Sequence, residues 1–353
     1  MDRILIVYAS FGEGHKRAAT SLQGFLDAPC VDLLDFAPKI IKTLYRYLYI
    51  SVTEHLGFFW WLIFSIHKNI VIRELTERIQ EFLFYPFFNY LRKTKPAVVI
   101  TTHFFPLSFI HLVKKYFNVD IKIITIMTDT RVHPLWFDKG VDLYFVACGE
   151  AKQDLIRLGV DANKIQSGYV ALREGFLKDE TDESLRRRFS LDNKPCILCM
   201  SSLRGKFPLL KELLKYFKDE FNIFVIYGRN KKLKKYLQSL NLPSVKPLSF
   251  YDAIWEIFQL SSVIITKPGG LTIFEGMYKK KPFIFMRYIP GQEKQNMELL
   301  IKYGIGKLAQ NEQELTEAVG YFKLHAQALR NDYPITLYDI RPALKEALAK
   351  MLS

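Results

Sequence analysis

Short apolar runs rich in β-branched residues recur along this chain in two series, each run followed by a segment of helical periodicity. That alternation constrains the fold more than any other feature. The first series reads ILIVYA near Ile4, AVVITTH near Val98, IKIITIMTD near Ile123 and LYFVACG near Leu143. The second reads CILCMSS near Cys196, FNIFVIYG near Phe221, VIITKPGG near Val263 and PFIFMRY near Pro282. Runs that are apolar on both faces and alternate with helices predict parallel sheets covered on both sides. A charged stretch, LKDETDESLRRRFSLDNKP from Leu177 to Pro195, separates the two series and reads as a domain junction plus the first helix of the second half. No internal sequence repeat accompanies the duplicated pattern.

At 353 residues, 49% hydrophobic and 24% charged, the chain is long enough for two domains with separate cores, and its composition excludes disorder. Its start, MDRILIVYAS, carries charges where a signal peptide is uninterrupted and reads as a first strand, which predicts a cytosolic protein. Four cysteines make no disulfide framework, and the close pair Cys196 and Cys199 falls within a strand rather than a metal-binding pattern. The formal net charge of +14 calls for an anionic partner. Lys and Arg are dispersed rather than striped and no nucleic-acid module is present, so the reading excludes nucleic acid and favours an anionic membrane surface. Residues Ile40 to Ile70 point the same way. Leu56 to Ile66 is apolar or small and includes Trp60 and Trp61, with Tyr45, Tyr47, Tyr49, Lys42 and Arg46 nearby. A run of about eleven residues cannot cross a bilayer that needs about twenty, but it suits a helix lying in the headgroup zone. The alternative is that these rings form the core of a helical insertion.

In open parallel sheets, ligands collect beyond the carboxyl ends of the strands. The segment TKPGGLTIFE at Thr266 to Glu275 ends an apolar run in Pro-Gly-Gly and starts a helix. Backbone N–H groups at such a turn bind phosphate, with Gly269 and Gly270 allowing close approach, Leu271 and Thr272 opening the helix, and Thr272 offering a hydroxyl. Glu275 lies one helical turn on, within reach of ribose hydroxyls. PGQEKQN at Pro290 to Asn296 follows the next strand. After the first strand comes SFGEGHKRAA, where Gly12 and Gly14 shape a turn and His15 opens a helix whose positive end disfavours a protonated imidazole. His103, Thr128, Asp129 and His133 follow later strands of the same half.

Taken in order, SFGEGHKRAA, TDTRVHPLW with VDLYFVA, GYVALREGF, VIYGRNKKLKKYL, TKPGGLTIFE and PGQEKQN give a chain that resembles the monogalactosyldiacylglycerol synthase and processive diacylglycerol glucosyltransferase family. The resemblance implies an α/β GT-B fold, two Rossmann-like parallel-sheet domains facing each other across a cleft. Its domains are an acceptor and membrane-facing half over residues 1–172, a donor half over 173–335, and a C-terminal helix over 336–353 that either crosses back to the first half or docks on the second.

The resemblance further implies inverting transfer of a hexose from UDP-glucose or UDP-galactose to diacylglycerol, peripheral to the cytoplasmic face of the membrane and without a metal cofactor. The backbone from Gly269 to Thr272 would then face the diphosphate, and Glu275 would hold the ribose. Gln292 and Glu293 would read sugar hydroxyls, with Asn296 in support, and Phe250 would border the uracil. An acceptor hydroxyl must lose a proton as it attacks, and His15 is the first candidate base. Asp129 is either the base itself or the carboxylate that orients His15. Gly14, His103, Trp60 and Trp61 fall on the acceptor and membrane side. Two departures stand out. SSLRG at Ser201 to Gly205 replaces the expected glycine-rich loop, with Arg204 either compensating or solvated, and GYVALREGF replaces a proline-containing turn. The alternatives are N-acetylhexosamine transfer to a polyprenyl-linked acceptor and a silent nucleotide-sugar binding protein.

Overall fold

A computed structural model of the protein describes residues 3–40, 42–43, 83–117, 119–178, 180–200 and 207–353. The aromatic segment bearing Trp60 and Trp61, and the SSLRG stretch with Arg204, lie outside the described residues. The chain divides into two compact units. The first comprises Met1–Arg173, Ile289–Gln292 and Leu337–Ser353; the second comprises Glu174–Tyr288 and Glu293–Thr336.

The first unit begins with β1 (Ile4–Tyr8), α1 (Glu13–Leu26), β2 (Cys30–Asp32), α2 (Tyr85–Thr94), β3 (Val98–Thr101) and α3 (Phe105–Phe117). It continues through β4 (Lys122–Ile126), β5 (Leu143–Val146), α4 (Gly149–Arg157), β6 (Ile165–Ser167) and β7 (Tyr169–Val170). Its main sheet runs β2-β1-β3-β4-β5-β6 with every pairing parallel. The strands are near-continuous apolar runs because both faces are covered. On one face Ala18, Ala19 and Leu22 of α1 pack against Ile6, Ile100, Ile124 and Phe145.

The second unit carries α5 (Asp182–Arg188), β8 (Cys196–Met200), α6 (Leu210–Phe217), β9 (Asn222–Ile226), α7 (Lys231–Ser239), β10 (Val245–Leu248) and α8 (Ile254–Leu260). It goes on with β11 (Ser261–Thr266), α9 (Gly270–Tyr278), β12 (Phe283–Phe285), α10 (Gln292–Lys302), β13 (Gly306–Leu308) and α11 (Glu312–Asn331). The sheet order is β10-β9-β8-β11-β12-β13, again all parallel. The apolar positions of its helices follow the helical period. Leu210, Leu213, Leu214 and Phe217 of α6, and Leu315, Ala318, Val319 and Phe322 of α11, all enter one core with Ile223, Val225 and Ile265. Cys196 and Cys199 lie buried in β8, where burial pushes the Cys196 thiol up to about 11. Strand order turns back beside β8 and β11, the place where an open parallel sheet leaves a crevice at its carboxyl edge.

After the second unit, β14 (Tyr338–Asp339) and α12 (Arg341–Leu352) return to the first unit. β14 pairs in parallel with β7, and Leu344, Ala347 and Leu348 of α12 join the core of Ile6, Ala18 and Leu22. Arg341 pins this return: its guanidinium donates to Asp339 Oδ1, Ser21 Oγ and the Leu172 carbonyl, each at 2.9 Å.

Candidate active site

In the first unit, neighbouring strands β1, β3 and β4 deliver their following loops to one edge of the sheet. Gly12 is the N-cap of α1, so Gly14 and His15 are the second and third residues of that helix. His15 Nδ1 lies 2.8 Å from the Thr102 carbonyl and 3.0 Å from Thr128 Oγ1. A carbonyl only accepts, so the proton of the neutral ring is on Nδ1 and the Nε2 lone pair is unprotonated. The Thr102 hydroxyl donates in turn to the His15 carbonyl at 3.0 Å, tying the β3 loop to the start of α1.

Burial lowers the His15 imidazole to about 4, against the opposing pull of the Thr102 carbonyl. The ring is therefore neutral at pH 7. Burial is the cause of the lowering, where the sequence pointed to the helix end.

His103 is the T-shaped neighbour of His15, with ring centroids 4.4 Å apart. It is fully buried, and its Nδ1 accepts the Phe105 N–H at 3.0 Å, which puts its own proton on Nε2. Burial holds it well below the usual histidine range, and the nearby His15 adds to that. Phe11 and Phe104 lie tilted against it, with centroids 5.3 and 4.3 Å away, giving the histidine pair an apolar wall. His133 caps the short turn at Pro134–Trp136 by accepting the Leu135 N–H, and burial lowers it to about 4.

Asp129 is buried beside Thr128. The segment Ile289–Gln292 groups with this unit, and Gln292 Nε2 donates to Asp129 Oδ2 at 2.9 Å. The groups at His15 Nδ1 are the Thr102 carbonyl with the Thr128 hydroxyl beside it. What fixes the Thr128–Trp136 loop is a residue that sequence reasoning missed. Asp154 of α4 is buried and accepts from Arg131 Nε and Nη2 at 2.6 and 2.9 Å, from the Val132 N–H at 3.1 Å and from Arg157 at 3.0 Å. Burial works to raise its carboxyl, and the Arg131 and Val132 bonds outweigh it and hold the group below the usual range. The only trace in the sequence is an acid four residues after Glu150 on an otherwise ordinary amphipathic helix.

In the second unit, β11 is followed by Lys267-Pro268-Gly269, with Gly269 as N-cap of α9 and no side chain capping the helix. The N–H groups of the first turn therefore lack an internal cap. Gly269 has φ −74°, open to any residue, and a Cβ there would meet nothing nearer than Lys267 Cε at 4.0 Å. Neither backbone conformation nor internal packing requires glycine at this point, and without a side chain the backbone stays open to close approach.

Leu271 is buried and anchors the turn, Thr272 is half-buried, and Glu275 is 1% exposed. Lys267 Nζ makes an ion pair with Glu293 Oε1, and Asn296, itself buried, donates to the Pro268 carbonyl at 3.1 Å. The Pro-Gly-Gly turn is thus brought together with Glu293 and Asn296 as one cluster. At the same edge, Phe250 follows β10 with its ring half exposed, and the Arg229 guanidinium lies 5.8 Å from the ring centroid. Arg229 was not singled out from sequence.

The comparisons with known proteins bear on both units. The family profile described as monogalactosyldiacylglycerol (MGDG) synthase matches residues 15–168, and that of the glycosyltransferase family 28 C-terminal domain matches residues 200–318. A processive diacylglycerol beta-glucosyltransferase of Bacillus cereus is 29% identical over 333 residues, covering 90% of this chain and 85% of the relative. Among solved structures, MurG of Acinetobacter baumannii superposes with a TM-score of 0.60 at 11% identity, covering 98% of this chain and 99% of the other. UDP-GlcNAc 2-epimerase from Neisseria meningitidis bound to UDP-GlcNAc gives 0.59 at 15% identity, covering 98% and 99%. At such identities the structural likeness speaks to fold, which is that of two Rossmann-like domains, the GT-B arrangement.

Proposed function

Because the chain belongs to the monogalactosyldiacylglycerol synthase family within family 28 of the glycosyltransferases, we propose that it moves a hexose from a uridine diphosphate sugar to diacylglycerol, with inversion at the anomeric carbon. The observation that carries this reading is His15, a neutral imidazole whose Nδ1–H is committed to the Thr102 carbonyl and whose Nε2 is left basic.

In the proposed step, the acceptor hydroxyl oxygen attacks the anomeric carbon as its proton passes to His15 Nε2, and the bond to the UDP oxygen breaks on the opposite face. Phe11 and Phe104 supply apolar surface suited to the glycerolipid, while His103 keeps His15 desolvated. The departing diphosphate takes the uncapped N–H groups at the start of α9, and Lys267 adds a positive charge beside them. This assignment of the leaving group asks for no metal ion. Glu275 holds ribose hydroxyls, Gln292 and Glu293 read the sugar, and Phe250 borders the base.

The acceptor partitions into bilayers, so the reaction takes place at a membrane surface, on the cytoplasmic side in this reading. No helix among the described residues is long and apolar enough to span a membrane. The test is product analysis by mass spectrometry after purified protein is given diacylglycerol in anionic liposomes, with UDP-glucose and UDP-galactose offered separately. A hexosyl-diacylglycerol is expected from one donor. UDP binding without any lipid product from either donor would overturn the proposal.

A further inference from the structure

At the amino edge of the second unit's sheet, opposite the Pro-Gly-Gly turn, a cavity of about 270 Å³ is lined by Gln259, Lys279, Lys280, Lys281, Arg330 and Asn331. Four of the six are cationic and none is acidic. Among the described residues, no carboxylate lies within ion-pair distance of Lys280, Lys281 or Arg330. Lys281 is 1% exposed, and its Nζ donates to the Gln259 carbonyl at 2.6 Å, an oxygen that Arg330 Nη2 shares at 3.0 Å. The two cations share one neutral carbonyl, and the charge of Asp182, whose carboxylate accepts from Gln259 Nε2 at 3.1 Å, offsets that of Lys281 only in part, an arrangement that burial makes costly.

The backbone adds a second observation. Lys280 sits at φ 53°, with its N–H bonded to the Met277 carbonyl, just past the end of α9. Glycine is the usual residue for that left-handed position because a side chain there is strained. The chain instead keeps lysine, extending a run of three.

We propose that this cavity binds a phosphate monoester carrying a small organic group. A dianion would accept from Lys279, Lys280 and Arg330 together and would compensate the buried Lys281 ammonium, which burial drives well below its ordinary range, with Arg330 adding to the effect and Asp182 opposing it. The volume falls just under the range of about 300–1,000 Å³ typical of organic ligand sites, so it exceeds what a bare phosphate needs. The site is separate from the donor turn and does not depend on the proposed reaction.

The experiment is calorimetric titration of inorganic phosphate and of glycerol 3-phosphate into the full-length protein, with saturating UDP occupying the donor turn. Glycerol phosphate is expected to bind once per chain and more tightly than phosphate, and Lys279→Gln/Lys280→Gln to weaken it at least about tenfold. Lys280→Gly relieves backbone strain, so it should raise the Tm by a few degrees while still weakening the phosphate, a combination no folding defect produces. Absence of binding in the presence of UDP, or equal affinities in the variants, would overturn the proposal. Sedimentation with phosphatidic acid vesicles identifies the source. Reduced pelleting of the double variant assigns the phosphate to a lipid headgroup; unchanged pelleting, with glycerol phosphate binding lost, assigns it to a soluble ester.

Discussion

A single main-chain carbonyl, that of Thr102, decides which nitrogen of His15 is basic, and this makes the residue's chemistry testable. His15→Ala is expected to lower turnover by on the order of 10²–10⁴ while UDP affinity, measured by calorimetry, stays within twofold. With His15 near 4 rather than 6.5, kcat/KM should hold its plateau down through pH 5 and bend near pH 4, so an acid limb near 6.5 would count against His15 as the base. The same shift acts on stability. Below 6.5 the unfolded chain takes up protons that the folded His15 and His133 refuse until about 4, so stability is lost as pH falls through that window. The slope is up to about 1.4 kcal/mol per pH unit for each histidine. His133→Asn keeps an acceptor for the Leu135 N–H, and denaturation midpoints between pH 7 and 4.5 should lose one histidine's share of the slope. His15 was legible in sequence because a helix start after a first strand is a recurrent site. Its partners were not, because a backbone carbonyl and a threonine hydroxyl leave no distinctive letter.

Among secondary-structure elements, the central strands were legible and the edges were not. All eight apolar runs picked out in sequence are strands flanked on both sides, whereas β2, β6, β10 and β13 were not picked out, and these are the four edges of the two six-stranded sheets. An edge strand buries less and tolerates residues that a central strand excludes. β10 shows why: its four residues are VKPL, with Pro247 opposite Val225 on a strand that has no second neighbour.

Packing at the donor turn carries its own prediction. A Cβ on Gly276 of α9 would lie 2.3 Å from Phe283 Cζ and 3.2 Å from Ile264 Cδ1, so the absence of a side chain is what seats α9 against β11 and β12. Gly276→Ala is expected to cost about 1–3 kcal/mol by overpacking, read as a lowered denaturation midpoint, and to weaken UDP by tilting the helix start. In the first unit, Asp154→Ala leaves Arg131 and the Val132 N–H without their acceptor. It should destabilise by about 2 kcal/mol, a figure reduced from that of a fully buried pair because Arg131 is 38% exposed on its side chain.

At the scale of the whole molecule, a formal charge of +14 should bring the protein to anionic vesicles and release it as salt rises. Co-sedimentation with anionic but not neutral liposomes is expected, with most of the binding lost when salt is raised from 50 to 500 mM. The Trp60→Ala/Trp61→Ala variant separates charge from ring insertion, since pelleting equal to that of the wild type would remove this segment as the anchor. The two-unit plan was legible from the duplicated strand series. The destination of the last helix was not, because the spacing of Leu344 and Leu348 describes an apolar face without saying what it meets.

The return of β14 and α12 to the first unit sets an order of assembly during synthesis. Domains commonly fold as they emerge, the amino-terminal one first. Here the strands of the amino-terminal unit are made before the second unit, but Ile340, Leu344 and Leu348, which fill its core, are translated only after it. The second unit, uninterrupted apart from Ile289–Gln292, is complete by Thr336 and is free to fold while its predecessor waits. A chain stalled or cut before Leu337 should therefore yield a folded carboxyl-terminal unit attached to an open, aggregation-prone amino-terminal one, and pulse proteolysis of stalled nascent chains would display that inverted sequence.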